Sequence, residues 1–119
     1  MAKIPFSKLE AKPCNTIHDV CYLNSKGEEV YFEVKCYLPI EEKMDMISKI
    51  INQSTDDNGF YNPMRVKIFT TLEIVYAYTN LTFTSKQKEN FLKLYDSLIS
   101  TGIFQSVIDN IFEEDCKEI

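Results

Sequence analysis

The chain of 119 residues has no tryptophan, one histidine, three glycines and four prolines. Scarce glycine and proline leave few tight turns, so long regular elements joined by short loops are expected. Gly27, Gly59 and Gly102 stand far apart, which excludes a glycine-rich phosphate cradle. A single imidazole leaves little for a nucleophile that needs a base beside it. His18 could serve Cys14 or Cys21, but it falls in a strand-like segment with no third group to orient it, and it reads as an ordinary strand histidine. Apolar runs are short as well. None approaches the roughly 20 residues needed to span a bilayer, and Met1–Lys8 lacks the apolar core of a secretory signal. A cytosolic product without membrane contact is expected.

Positive charge is also in short supply, with 13 Lys and Arg against 18 Asp and Glu and a net charge of −5. Phosphate-binding surfaces draw their affinity from clustered cations, so direct nucleic-acid binding is not expected. Acidic mimicry of nucleic acid would need carboxylates massed on one face, whereas Glu and Asp are interleaved with Lys here. The cysteines, Cys14, Cys21, Cys36 and Cys116, include no close pair of the kind that grips a metal locally. In a reducing cytosol they read as small apolar fillers or free thiols. Asp56-Asp57-Asn58-Gly59 lacks the alternating ligands and final glutamate of a calcium loop and reads as a polar turn. The paired carboxylates Glu41-Glu42 and Glu113-Glu114-Asp115 fall at a helix start and a tail, where solvated charge is the plainer reading. No catalytic residue, metal or cofactor is expected, and the chain reads as a protein that is not an enzyme.

Hydrophobic residues make up 45% of the chain, enough for one core at this length. Residues 1–16, interrupted by Pro5 and Pro13, read as an extended amino-terminal arm or as irregular packing, with the arm a candidate contact element, and residues 17–119 as a single α+β domain. Ile17 to Leu23 and a longer run to Leu38 flank Asn24-Ser25-Lys26-Gly27 as a hairpin. In the second strand Val30, Phe32, Val34, Cys36 and Leu38 alternate with Tyr31, Glu33, Lys35 and Tyr37, the period of a strand with one face on a core. Pro39 opens an amphipathic helix of about fourteen residues whose apolar stripe is Ile40, Met44, Ile47 and Ile51. Asn62-Pro63 offers a cap and first turn for a segment to Tyr78 that fits helix or strand spacing, with a largely buried helix favoured by its length. Thr84 and Gln87 form a capping box ahead of a helix carrying Phe91, Leu94, Tyr95 and Leu98. Gly102 closes it, and Phe104 to Phe112 make a last short helix. The expected fold is α+β, an N-terminal β-hairpin packed on a bundle of three to four helices.

What remains is surface for recognition. Tyr31, Glu33, Lys35 and Tyr37 give the second face of the long strand an aromatic, polar character suited to an interface. The same tyrosines could instead cover the chain's own arm. Phe60 and Tyr61 follow a polar turn, where they either anchor the loop or project toward a partner.

Three segments, Tyr37-Leu38-Pro39-Ile40-Glu41-Glu42-Lys43, Tyr78-Thr79-Asn80-Leu81-Thr82-Phe83-Thr84 and Leu94-Tyr95-Asp96-Ser97-Leu98, resemble a group of short proteins carried by tailed bacteriophages and prophages of low-GC Gram-positive bacteria. The resemblance spans roughly residues 30–112. Its motifs are junctions between elements, and none carries chemistry. It implies a virion structural or morphogenesis protein of a capsid, neck or tail, found in the host cytoplasm during assembly or in the virion, with other copies of the chain or phage structural proteins as partners. An assembly chaperone or a host-directed inhibitor, such as an anti-defence protein, is the alternative.

Overall fold

The turn at Asn24 organises the first half of the chain. Its side-chain oxygen accepts the backbone N–H of Lys26 and of Glu28, both at 3.0 Å, and Gly27 takes the left-handed conformation at φ 78° that a Cβ would strain. This turn joins β1 (Ile17–Leu23) to β2 (Glu29–Lys35) in an antiparallel pair that sets Ile17 opposite Lys35, Asp19 opposite Glu33, Cys21 opposite Tyr31 and Leu23 opposite Glu29. The computed structural model describes residues 2–12, 15–55 and 58–111. Cys14, Cys116, the Asp56-Asp57 part of the polar turn, and the acidic tail from Phe112 lie outside the described residues.

Strand pairing ends at Lys35, three residues short of the expected Leu38, yet the alternation of side chains runs on. Phe32, Val34, Cys36 and Leu38 are all buried, and the Cys36 N–H still bonds the Thr16 carbonyl at 3.0 Å. An isolated two-stranded hairpin is marginal in water. Here helices cover one face of it.

Helix α1 (Ile40–Ser54) begins where Pro39 allows, with Glu41 and Glu42 in the positively polarised first turn. Its orientation differs from the expected one. Lys43, Met46, Ile50 and Ser54 are buried, while Ile40, Met44 and Ile51 are exposed. At about 100° per residue, the apolar side chains of α1 cover an arc of roughly 160°, and the core takes only the part centred on Ile50. The other part, Ile40 to Ile51, faces out.

Helix α2 (Pro63–Tyr78) is capped by Asn62, whose side chain accepts from Met64 N–H at 3.0 Å and Arg65 N–H at 3.3 Å. It is buried on both sides. Ile74 and Tyr78 join Val20, Phe32, Val34, Leu38, Met46, Ile50 and Val107 in one cluster. Ile68, Phe69, Leu72 and Val75 join Leu98 in a second. Two buried sides blur a helical period, which explains why this segment also fits strand spacing.

The capping box at Thr84 forms as expected, with Gln87 N–H to Thr84 Oγ1 at 3.2 Å and Thr84 N–H to Gln87 Oε1 at 2.9 Å. The single helix expected after it is broken at Asn90 into α3 (Ser85–Glu89) and α4 (Phe91–Ser100). Asn90 leaves helical geometry at ψ 57°, and Phe91 beyond the break packs on Phe69 with ring centroids 4.9 Å apart. Gly102, at φ 77°, precedes α5 (Ile103–Asp109). The fold is therefore α+β, an N-terminal hairpin followed by five α-helices among the described residues rather than three or four. No described helix is long and apolar enough to cross a membrane.

Candidate interaction surface

The register of the hairpin divides its residues by parity. Hydrogen bonds from Cys36 N–H to Thr16 and from Asn24 N–H to Glu28 continue the ladder at its two ends, so even-numbered residues exchange the ladder bonds. The same even positions carry Val20, Phe32 and Val34 into the core. Odd-numbered residues do the reverse: their side chains form the outer face and their backbone groups point away from the partner strand.

That outer face is exposed over its whole length. Ile17, Asp19, Cys21 and Leu23 lie on β1, with Glu29, Tyr31, Glu33 and Lys35 on β2. Tyr31 is 64% exposed and donates its hydroxyl to Glu29 Oε2 at 3.0 Å. This bond to a carboxylate is the main cause that raises the Tyr31 phenol above its ordinary pKa, with neighbouring Cys21 adding to it. Asp19 sits directly opposite Glu33 in a non-hydrogen-bonded pair, where cross-strand side chains come closest and like charges repel.

The two edges of the hairpin are treated differently. On β2, Asn80 clamps Glu33, its Oδ1 accepting the Glu33 N–H at 2.8 Å and its own N–H donating to the Glu33 carbonyl at 3.2 Å. The connector after α2 thereby closes that edge at its centre. On β1, the outward backbone groups of Ile17, Asp19, Cys21 and Leu23 have no partner among the described residues. An open edge of this kind is a template for pairing with another chain.

The six candidate residues fall in two places. Tyr31, Glu33, Lys35 and Tyr37 follow one another on the outer side of the second strand and its extension. Tyr37, at 36%, is less exposed than Tyr31, and its ring carries the ammonium of buried Lys43 at 4.7 Å from the centroid. Phe60 and Tyr61 are both exposed in the loop between α1 and α2, and Tyr61 makes an isolated bridge with Thr55. This loop stands at the far end of α1 from Tyr37, about 20 Å along the helix axis. Each is a separate patch.

Two further apolar surfaces lie apart from these six residues. One is the α1 stripe, in which Met44 is 63% exposed. Its periodicity was the signal, read as a core face. The other is the arm. It is not simply extended, since Phe6–Leu9 forms a 3-10 turn and Glu10 adopts a left-handed conformation at φ 49°. Every described residue from 2 to 16 is exposed, including Ile4, Leu9 and Phe6, the last at 76%. Full burial of side chains of this size is worth about 1.5–3 kcal/mol each, stabilisation that the arm does not obtain from the described residues of its own chain.

Elsewhere the chemistry is sparse. His18 lies on the core-side face of β1 and bonds Asn110 Oδ1 through Nδ1 at 3.3 Å, linking β1 to the end of α5. Cys21 points to the opposite face, so the two form no thiol–imidazole pair. Cys21 is an exposed free thiol and Cys36 a buried one. An open groove of about 620 Å³ occupies the elbow between α3 and α4 beside Lys86, Asn90 and Lys93. A second, of about 450 Å³, lies where β2, α1 and α2 meet, and buried Glu73 on its wall accepts from Gln53 Nε2 at 2.9 Å. Burial, and then the Glu73 charge, raise the pKa of Tyr76 on the same wall. Among the described residues no three His, Cys, Asp or Glu side chains are grouped to hold a metal ion. Compared with protein-family models, with curated proteins and with solved structures, the chain matches none.

Proposed function

We propose that this chain is a non-enzymatic structural or morphogenesis protein of a tailed bacteriophage, a capsid, neck or tail component that acts through contacts between protein chains made by its hairpin. The observation that carries this reading is the bare outer face of a two-stranded hairpin beside the open edge of β1. Sheets of so few strands gain from added strands or a covering surface. The phage setting rests on the resemblance of the three junction segments around Pro39, Asn80 and Tyr95. Its place is the host cytoplasm during assembly and the virion afterwards. Quantitative mass spectrometry of purified particles tests it: a fixed stoichiometry per particle is expected, and complete absence from particles would exclude the virion component.

The acidity of the hairpin face, with Asp19, Glu29 and Glu33 against Lys35, favours a second reading, a host-directed inhibitor that occupies a basic surface of a host protein. Pull-down from uninfected host lysate would then recover one host protein in near-equal amount. Recovery of none contradicts it.

A further inference from the structure

We propose that the amino-terminal arm of one copy docks on the outer hairpin face of a second copy, against the open edge of β1. This rests on the reading of the hairpin as the contact surface and names its occupant. Both halves of the contact are present on one chain, and no described residue covers either. Ile4, Phe6 and Leu9 are exposed on the arm; Ile17, Leu23 and Tyr31 are exposed on the hairpin.

Charge makes the two halves complementary. In a chain of net charge −5, residues 2–12 hold three lysines, Lys3, Lys8 and Lys12, and one acid, Glu10. The hairpin face has the inverse balance, Asp19, Glu29 and Glu33 against Lys35. The opposed carboxylates of Asp19 and Glu33 repel each other in the free chain, and an arm lysine between them converts that repulsion into attraction. The arm also carries backbone donors and acceptors that the odd-numbered groups of β1 can pair. Two copies that exchange arms reciprocally close as a dimer, and copies that pass arms head to tail build a ring or filament.

The test is light scattering of the full-length protein across a concentration range, with circular dichroism as the check on folding. The expected result is self-association that weakens about tenfold or more in each of two charge-reversed variants, K8E/K12E and D19K/E33K. Mixing the two variants, or combining all four substitutions in one chain, restores association because opposite charges again face each other. F6S/L9S should also weaken it, with the helical signal unchanged.

A chain that stays monomeric at all concentrations overturns the proposal. So does self-association that neither charge reversal nor F6S/L9S alters. The reading beneath it is separated by a second measurement: if D19K/E33K still lowers incorporation into phage particles, the hairpin remains the contact surface and only its occupant is wrong.

Discussion

Helix α2 and the hairpin are both central to this chain, but they are buried in opposite ways. Ile68, Leu72 and Val75 of α2 meet one cluster while Ile74 and Tyr78 meet the other. In the hairpin Val20, Phe32 and Val34 meet the core, whereas the opposite face has no cover among the described residues. Stability should therefore concentrate around α2 and association around the hairpin. Substitutions that move one property and spare the other are the means of testing this division.

The largest expected effect lies in α2. Leu72→Ala leaves a cavity where a 1% exposed side chain fills the second cluster, and should lower unfolding free energy by about 2–5 kcal/mol in urea titrations. Association per folded molecule should not change. Next comes the clamp between the two regions. Asn80→Ala removes the 2.8 Å bond to the Glu33 N–H, and a loss of about 1 kcal/mol is expected, with faster hydrogen exchange at the centre of β2.

Glu33→Lys should act in the opposite sense. Relief of the repulsion with Asp19 stabilises the free chain by about 0.2–1 kcal/mol, while association through the hairpin falls. A variant that is more stable and less associated would separate the two regions most sharply. Equal losses of both would show that the face is structural.

The smallest effect is at Tyr76. Its raised pKa means that the folded chain holds the phenolic proton more tightly than the unfolded chain. The stabilisation is complete below about pH 10, the ordinary tyrosine value, and is lost as pH rises through the folded value. Stability should decline at alkaline pH, and Tyr76→Phe should soften that decline in denaturation curves recorded on either side of pH 10.

Much of the fold is legible in local pattern. The alternation from Phe32 to Leu38, the Asn62 cap with Pro63, the Thr84–Gln87 box and the left-handed Gly102 are each decided by neighbours in the chain, and each is found in the structure, whereas Val30, at the turn end of β2, is 46% exposed because the core does not reach it. What failed was decided at longer range. The apolar arc of α1 is wider than the core can cover, and packing against β2 and α2 chose Met46 and Ile50 over Ile40 and Met44. Helical periodicity continues across Asn90, so the break that brings Phe91 onto Phe69 leaves no trace in the pattern.

The candidate surface divides in the same way. Tyr31, Glu33 and Lys35 follow from period two, and the pairing of Asp19 with Glu33 follows once the turn at Asn24 is accepted. The closure of one edge by Asn80 does not, because that residue lies 47 positions from Glu33. Nor does the 3-10 turn of Phe6–Leu9 with left-handed Glu10 inside the arm, which no glycine or side-chain cap announces.

The most direct measurement uses Cys21, which stands on the outer hairpin face opposite Tyr31. With Cys14 and Cys116 replaced by serine, thiol labelling would be followed in the dilute isolated chain and in the assemblies that it forms at high concentration. If the hairpin face is the contact surface, Cys21 labels freely in the dilute chain and is protected in the assemblies, while buried Cys36 stays unreactive in both. Equal labelling of Cys21 in the two states would contradict the account.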